Sequence, residues 1–250
     1  MNKVILGTDA PGLGDQLQFS TLPEEFNKIG YDFYLSNKIP FRNPEIKQLV
    51  WGYNPFVKGE TDETPNAGEE KYCNEWKKID KVKNNYIDVI EYRHGINCNN
   101  QFPKIYYKFD EKKFERFKDS IIFDLDAMSI HKYYGENYNK TINEVMDKYK
   151  NYEQIYIQHK FQFNKLNLCL NRNFDDVYRI NDIFEYCEII NICKAFVNLA
   201  SGGNVLASAI KNKRDNPIIE TIIPVPEFNH IKECKGYYFE NCNFIKIEGG

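Results

Sequence analysis

The chain has 250 residues, 42% hydrophobic and 28% charged, with 33 Lys and Arg against 36 Asp and Glu and a net charge of −3. That length supports one large domain or two small ones. The near-neutral balance excludes the basic excess of a nucleic-acid binder and the acidity of a disordered tail.

Seven cysteines, at 73, 98, 169, 187, 193, 234 and 242, form no CxxC pair. The sequence therefore predicts reduced thiols in a cytoplasmic protein, with neither a disulfide framework nor a zinc ribbon. The N-terminal apolar run is too short for a signal peptide. No apolar stretch approaches the roughly 18 residues of a membrane span, so no transmembrane segment is expected.

In chain order, Val4-Ile5-Leu6 has the length of a buried strand. A glycine-containing loop over 7–15 follows. A helical pattern comes next, with apolar Leu17, Phe19, Leu22, Phe26 and Ile29, and Gly30 stops it. Residues 32–36 are the next strand. Strand, glycine loop, helix, glycine and strand make the first half of a Rossmann-like unit with a parallel sheet. Residues 44–50 read as a short helix and 51–70 as a long polar loop. Residues 86–92 and 104–109 read as strand pieces, and 110–119 as a connecting helix or linker.

A second series then begins, with strands over 120–125, 154–158 and 195–199 and helices over 141–149 and 181–192. Ser201-Gly202-Gly203 opens a further helix running to about 211, and 217–223 and 243–247 supply late strands. The expected fold class is α/β: two facing Rossmann-like domains with mostly parallel sheets, 1–118 and 119–250.

Two motifs carry candidate chemistry. Gly12-Leu13-Gly14-Asp15 lies at the carboxyl end of the first strand, where open α/β sheets bind ligands. Its glycines admit close backbone approach, and the helix that follows directs N–H groups outward. Asp15 reads in two ways: as a general base aimed into the crevice, or as an N-cap favoured by the helix dipole. The third glycine of the dinucleotide fingerprint G-x-G-x-x-G is replaced by Leu17, which argues against NAD.

The second motif, Ser201-Gly202-Gly203-Asn204, lies between an apolar strand and a helix. It reads equally as a phosphate cradle with Ser201 and Asn204 as added donors, or as a tight turn capped by Ser201. No Gly-Lys-Ser/Thr follows, so it is not a Walker A loop. Nor does Ser201 sit in a G-x-S-x-G elbow.

Asp124 and Asp126 end the second half's first strand, as candidates for a metal or a sugar hydroxyl or as plain loop carboxylates. His131 is a candidate for an anionic phosphate or a surface histidine. His94, His159 and His230 show no zinc spacing, so no metal site and no cofactor are called for.

The segment Gly12-Leu13-Gly14-Asp15-Gln16-Leu17-Gln18-Phe19-Ser20-Thr21-Leu22-Pro23 resembles the opening of the ADP-heptose:lipopolysaccharide heptosyltransferase family. Residues 200–209 resemble that family's D-[ST]-G-x-x-H-x-A-A-A turn. The resemblance implies a metal-independent GT-B glycosyltransferase that uses a nucleotide-sugar donor and a glycan or lipid-linked acceptor, with room for peripheral membrane contact. It implies Asp15 as the base and Gly12, Gly14, Gln16, Ser201, Gly202, Gly203 and Asn204 as substrate- or donor-binding residues.

Ala200 and Val205 stand where the family has Asp and His, and Lys132 is the nearest basic residue for the phosphates at the start of the second half. A fainter similarity is to fucosyltransferases with a G-x-G-N-Q-[LM] loop, which implies GDP-fucose. The competing readings are a catalytically degenerate nucleotide-sugar-binding module or partner subunit, and a sugar-nucleotide epimerase on the same scaffold.

Overall fold

The computed structural model describes residues 2–68, 85–97, 100–125, 137–160, 173–212, 215–225, 229 and 238–247. Strands β1 (Asn2–Leu6) and β2 (Tyr31–Ser36) pair in parallel, with Val4 opposite Phe33 and Leu6 opposite Leu35. Strand β3 (Val57–Thr61) adds to the other side of β2.

The β1–β2 crossover is two short helices in place of the one expected, α1 (Leu13–Gln18) and α2 (Leu22–Lys28). Pro23 explains the break. It lacks an N–H and clashes with the preceding turn inside a helix, so it is tolerated only in a first turn, and a helix carrying it must restart just before it. Leu17, Phe19 and Leu22 are buried as the apolar pattern requires, whereas Ile29, expected on the same face, is 56% exposed.

Three readings of the middle of the chain are corrected. The 51–70 loop contains β3, a polar edge strand with half-exposed alternation, and begins with buried Trp51 at the end of a helical stretch that starts at α3 (Pro44–Lys47). The expected strand at 86–92 is helix α4 (Tyr86–Arg93). Its N-cap Asn85 accepts from the Asp88 N–H at 3.0 Å, a start signal that outweighs the β-branched composition. Residues 104–109 join no ladder. Their side chains and amides strap the first half to the second: the Lys104 N–H donates to Ser20 Oγ at 2.8 Å, and the Tyr107 hydroxyl donates to buried Glu188 at 2.7 Å.

The second sheet comprises β4 (Ile121–Asp124), β5 (Gln154–Gln158), β6 (Asp176–Arg179), β7 (Ala195–Leu199), β8 (Ile218–Pro224) and β9 (Cys242–Ile247). All pairings are parallel, in the order β6-β5-β4-β7-β8-β9. This is the doubly wound order whose direction reverses between its first and fourth strands, here β4 and β7, and ligands of such sheets bind outside the carboxyl ends at that reversal.

The sheet is covered on both faces. Ile121 and Phe123 of β4 pack on α5 (Asn137–Lys148), while Ile122 faces the cluster holding α6 (Ile183–Ile192) and α7 (Gly202–Lys211). Burial on both faces is why the strands read as near-continuous apolar runs. The cluster containing α6 and α7 continues without a break into Val4, Leu6, Leu17 and Phe33 of the first half. Glu45 of α3 adds a polar link by accepting from the Ile183 N–H at the start of α6, at 2.9 Å.

An ionic cluster also ties α2 to the strap. Burial alone would raise the Glu24 carboxyl. Hydrogen bonds from Lys104, Lys28 and Tyr106 outweigh burial and lower its pKa from 4.5 to about 2. A carboxyl held below its ordinary value contributes stability that is fully present above about pH 4.5 and lost as the pH falls toward about 2. Urea midpoints measured across that window should therefore fall with acidification, and Glu24→Gln should flatten the fall. Equal slopes for variant and parent would assign the acid sensitivity elsewhere.

Candidate functional site

Each half sends a strand into a glycine turn and a helix, and the two turns meet. A Cβ placed on Gly202 would lie 3.2 Å from the Gly14 nitrogen and 3.5 Å from Leu13 Cβ. A side chain at 202 would press on the first turn of α1, which would have to yield slightly to admit it. Gly12, Gly14, Asp15, Ser201, Gly202 and Gly203 are thereby brought together from the two ends of the chain.

Asp15 is not the N-cap of α1. That position is Gly12, which makes no side-chain cap bond, and Asp15 lies half-buried in the first turn. The capping alternative is thus corrected. The carboxylate folds back over Gly12, so that a Cβ there would lie 2.6 Å from Asp15 Oδ2 and 3.6 Å from the Arg42 Nη2 atom. Arg42, an exposed residue that no motif pointed to, brings a cation to the same spot, and its backbone N–H donates to Pro11 O at 3.0 Å.

Gln16 lies beneath the loop. It is fully buried, its Nε2 donates to Ala10 O at 2.6 Å, and its Oε1 accepts from the Trp51 indole N–H at 2.8 Å. Those bonds give it the role of holding the loop in shape; a buried side chain engaged at both ends does not present itself to a ligand.

Ser201 is the N-cap of α7. Its Oγ accepts from the Gly203 N–H at 3.2 Å, and its own N–H donates to Asn204 Oδ1 at 3.1 Å. The side chains of Ser201 and buried Asn204 close this reciprocal box, so the capping alternative describes them. Those bonds use the Ser201 and Gly203 amides; Gly202, at the first helical position, is the turn amide they do not use.

Asp124 departs from both of its sequence readings. It is the last residue of β4, only 4% exposed, and accepts from the Tyr186 hydroxyl of α6 at Oδ2, while His159 Nε2 lies 3.2 Å from Oδ1. The His159 and Tyr186 rings meet edge to face with centroids 5.0 Å apart. Burial pushes the Tyr186 hydroxyl well above its ordinary pKa and neighbouring Asp124 adds to the rise, so the phenol stays a donor.

Gly203 belongs to this cluster as well. A Cβ there would sit 2.8 Å from the Tyr186 hydroxyl oxygen and 3.4 Å from Asp124 Oδ2. The sequence signal for His159 was its place one residue past the buried strand β5. Asp126, His131, Lys132 and His230 lie outside the described residues. His94 has a structural role: its Nε2 accepts from the Gly68 N–H at 2.9 Å, with Nδ1 at 2.7 Å from Ile90 O.

A cavity of about 490 Å³ opens at the carboxyl edge of the first sheet, lined by Thr8, Asp9, Ser36, Lys38 and Asn66 among others. It offers hydroxyl, carboxylate, ammonium and amide groups within reach of one ligand. No helix among the described residues is long and apolar enough to cross a membrane.

No protein-family model matches the sequence, and no curated protein matches it. Solved structures do resemble the fold. The dodecameric iron-containing glycosyltransferase TibC from enterotoxigenic E. coli H10407 superposes with a TM-score of 0.65 at 12% identity, over 100% of this chain and 63% of its own. A glycosyl transferase family 9 protein from Veillonella parvula gives 0.61 at 9% identity, over 99% of this chain and 86% of its own. The E. coli heptosyltransferase WaaC with ADP also gives 0.61, at 10% identity, over 98% of this chain and 93% of its own.

This chain thus spans less than two thirds of TibC. Among the described residues, no group of three His, Cys, Asp or Glu side chains is placed to hold a metal ion. Cys187, Cys193 and Cys242 are free, buried thiols, and burial pushes that of Cys242 up to about 12. What these likenesses establish is the architecture: the chain has the GT-B fold of the heptosyltransferases, as a divergent example of it.

Proposed function

We propose that this chain is a GT-B glycosyltransferase that moves a sugar from a nucleoside-diphosphate donor to a surface-polysaccharide, lipopolysaccharide or capsule precursor. Residues 1–118 would carry the acceptor half and 119–250 the donor half. The observation that carries this reading is the meeting of the two glycine turns, with Gly202 of α7 against Leu13 and Gly14, the residues just before Asp15.

The reaction is a single displacement at the sugar's anomeric carbon. Asp15 takes the proton of the acceptor hydroxyl as its oxygen bonds to that carbon. The bond from carbon to the diphosphate oxygen breaks, and the electron pair leaves with the diphosphate, which the Gly202 amide and the positive end of α7 stabilise. The architecture shared with WaaC, a structure that holds ADP, supports a nucleoside-diphosphate ligand. The acceptor follows from the resemblance of the opening loop, and the polar cavity at the first sheet's carboxyl edge is the place we assign to it.

A second reading is favoured by two residues, Ala200 and Val205, which stand where the resembled family has Asp and His. A module that keeps the turn but has lost transfer would bind a donor without turning it over.

Thermal shift with ADP, GDP, UDP, CMP and their common sugar conjugates decides between these readings. A ligand at one hundred times its Kd stabilises the fold by about 2.7 kcal/mol, so one nucleotide should raise the melting temperature of the wild type and not that of a folded Gly202→Val variant. The shifting donor, incubated with candidate acceptors, should then release its diphosphate. Binding without release selects the module reading, and no shift with any nucleotide overturns both.

A further inference from the structure

The cluster at the sheet's reversal point contains a group that the glycosyl-transfer step above does not use. Asp124 ends β4, His159 directly follows β5, and Tyr186 reaches across from α6, so three separate elements converge at the carboxyl edge beside Gly203. A buried carboxylate is costly to retain without partners. Here Tyr186, which stays protonated, satisfies Oδ2, and Oδ1 faces His159.

A carboxylate only accepts hydrogen bonds, so the network assigns the proton on His159 to Nε2. The ring is then fixed in tautomer and in plane, by the carboxylate on one nitrogen and by the edge-to-face contact with Tyr186. Asp124 and Tyr186 are almost wholly inside the protein, while the His159 side chain keeps 29% of its surface. The arrangement is therefore directional: two buried groups hold one partly exposed imidazole at the edge where open sheets take their ligands.

We propose that His159 contacts the diphosphate of a bound nucleoside diphosphate, with Asp124 and Tyr186 as its positioning residues. This rests on the transferase reading and adds a residue to it. Asp124 orients the ring and offsets the charge of its protonated form, and the ring places a donor on an anion that a bare carboxylate would repel. The glycine at 203 is explained by the same cluster, since any side chain there would displace the Tyr186 hydroxyl.

The 250-residue chain has four histidines, few enough for ring-nitrogen NMR on ¹⁵N-histidine-labelled protein, with His159→Gln identifying the signal of interest. The probes are ADP, GDP and UDP, each against its nucleoside. The ring signals of His159 should move with the diphosphate that binds and stay with the nucleoside. His159→Gln should weaken that diphosphate by roughly 10- to 100-fold, the range for one charge-assisted hydrogen bond, and leave the nucleoside's binding unchanged.

Asp124→Asn should alter the His159 ring-nitrogen pattern in the free protein, a signature that mere loss of packing would not produce, with folding checked by thermal melting. A diphosphate that binds wild type and His159→Gln equally well, with His159 signals unmoved, overturns the assignment and leaves the transferase reading standing. If no diphosphate binds the wild type, both fall.

Discussion

Asp15→Asn is expected to lower turnover by a factor of about 10² to 10⁴ while leaving fold and donor binding intact, the range for removal of one general base. Asp15 is not the cap of α1, and Asn keeps its shape over Gly12. Loss of a negative charge in a first turn is worth about 0.3–1 kcal/mol of helix stability. Steady-state transfer, thermal melting and nucleotide titration on the same preparation separate the two effects. A variant that turns over like the parent would reduce Asp15 to a charge that suits the helix dipole.

Much of the fold was legible because the second sheet is buried on both faces. The runs at 121–123 and 195–197 are apolar on both alternations, and β-strands with helices above and below must look like that. Two of the edge strands were not legible. Strands β3 and β6 are short and half-exposed, with Val177 of β6 at 50% exposure, so their sequences carry little apolar signal. The 104–109 segment alternates like a strand, yet its backbone donor and side chains are claimed by Ser20, Glu24 and Glu188, partners some 80 positions away that no local pattern reveals. Helix α4 was misread because Ile87, Val89 and Ile90 favour strands in isolation, while the deciding bond comes from Asn85 just outside the run.

The candidate site divides in the same way. The glycine turns were legible as turns, since small residues between a buried strand and a helix have few other uses. That they touch is a property of the tertiary fold. The convergence of Asp124, His159 and Tyr186 was beyond reach, because it depends on β5 lying next to β4 and on α6 crossing that face. Gln16 shows the opposite error: its place inside a recognisable motif suggested a ligand contact, and the structure buries it beneath the loop.

Trp51→Ala should cost about 3–5 kcal/mol, the range for deleting a large aromatic from a packed core. For a chain of this size that is a fall of very roughly 6–20 °C in melting temperature. Trp51 is 2% exposed and sits among the largest fully buried side chains, although it opens a stretch whose composition reads as loop. Its indole N–H also holds Gln16, and Gln16 in turn holds the carbonyl of Ala10 in the loop leading to Gly12 and Asp15. Trp51→Phe separates these contributions. It keeps much of the ring's volume but leaves Gln16 Oε1 buried without its donor, a loss of about 1–3 kcal/mol. If the loop is held for catalysis, the Phe variant should lose turnover at a temperature where it remains fully folded. Full turnover in folded Trp51→Phe would confine the Trp51–Gln16–Ala10 chain to stability and detach it from the placement of Asp15.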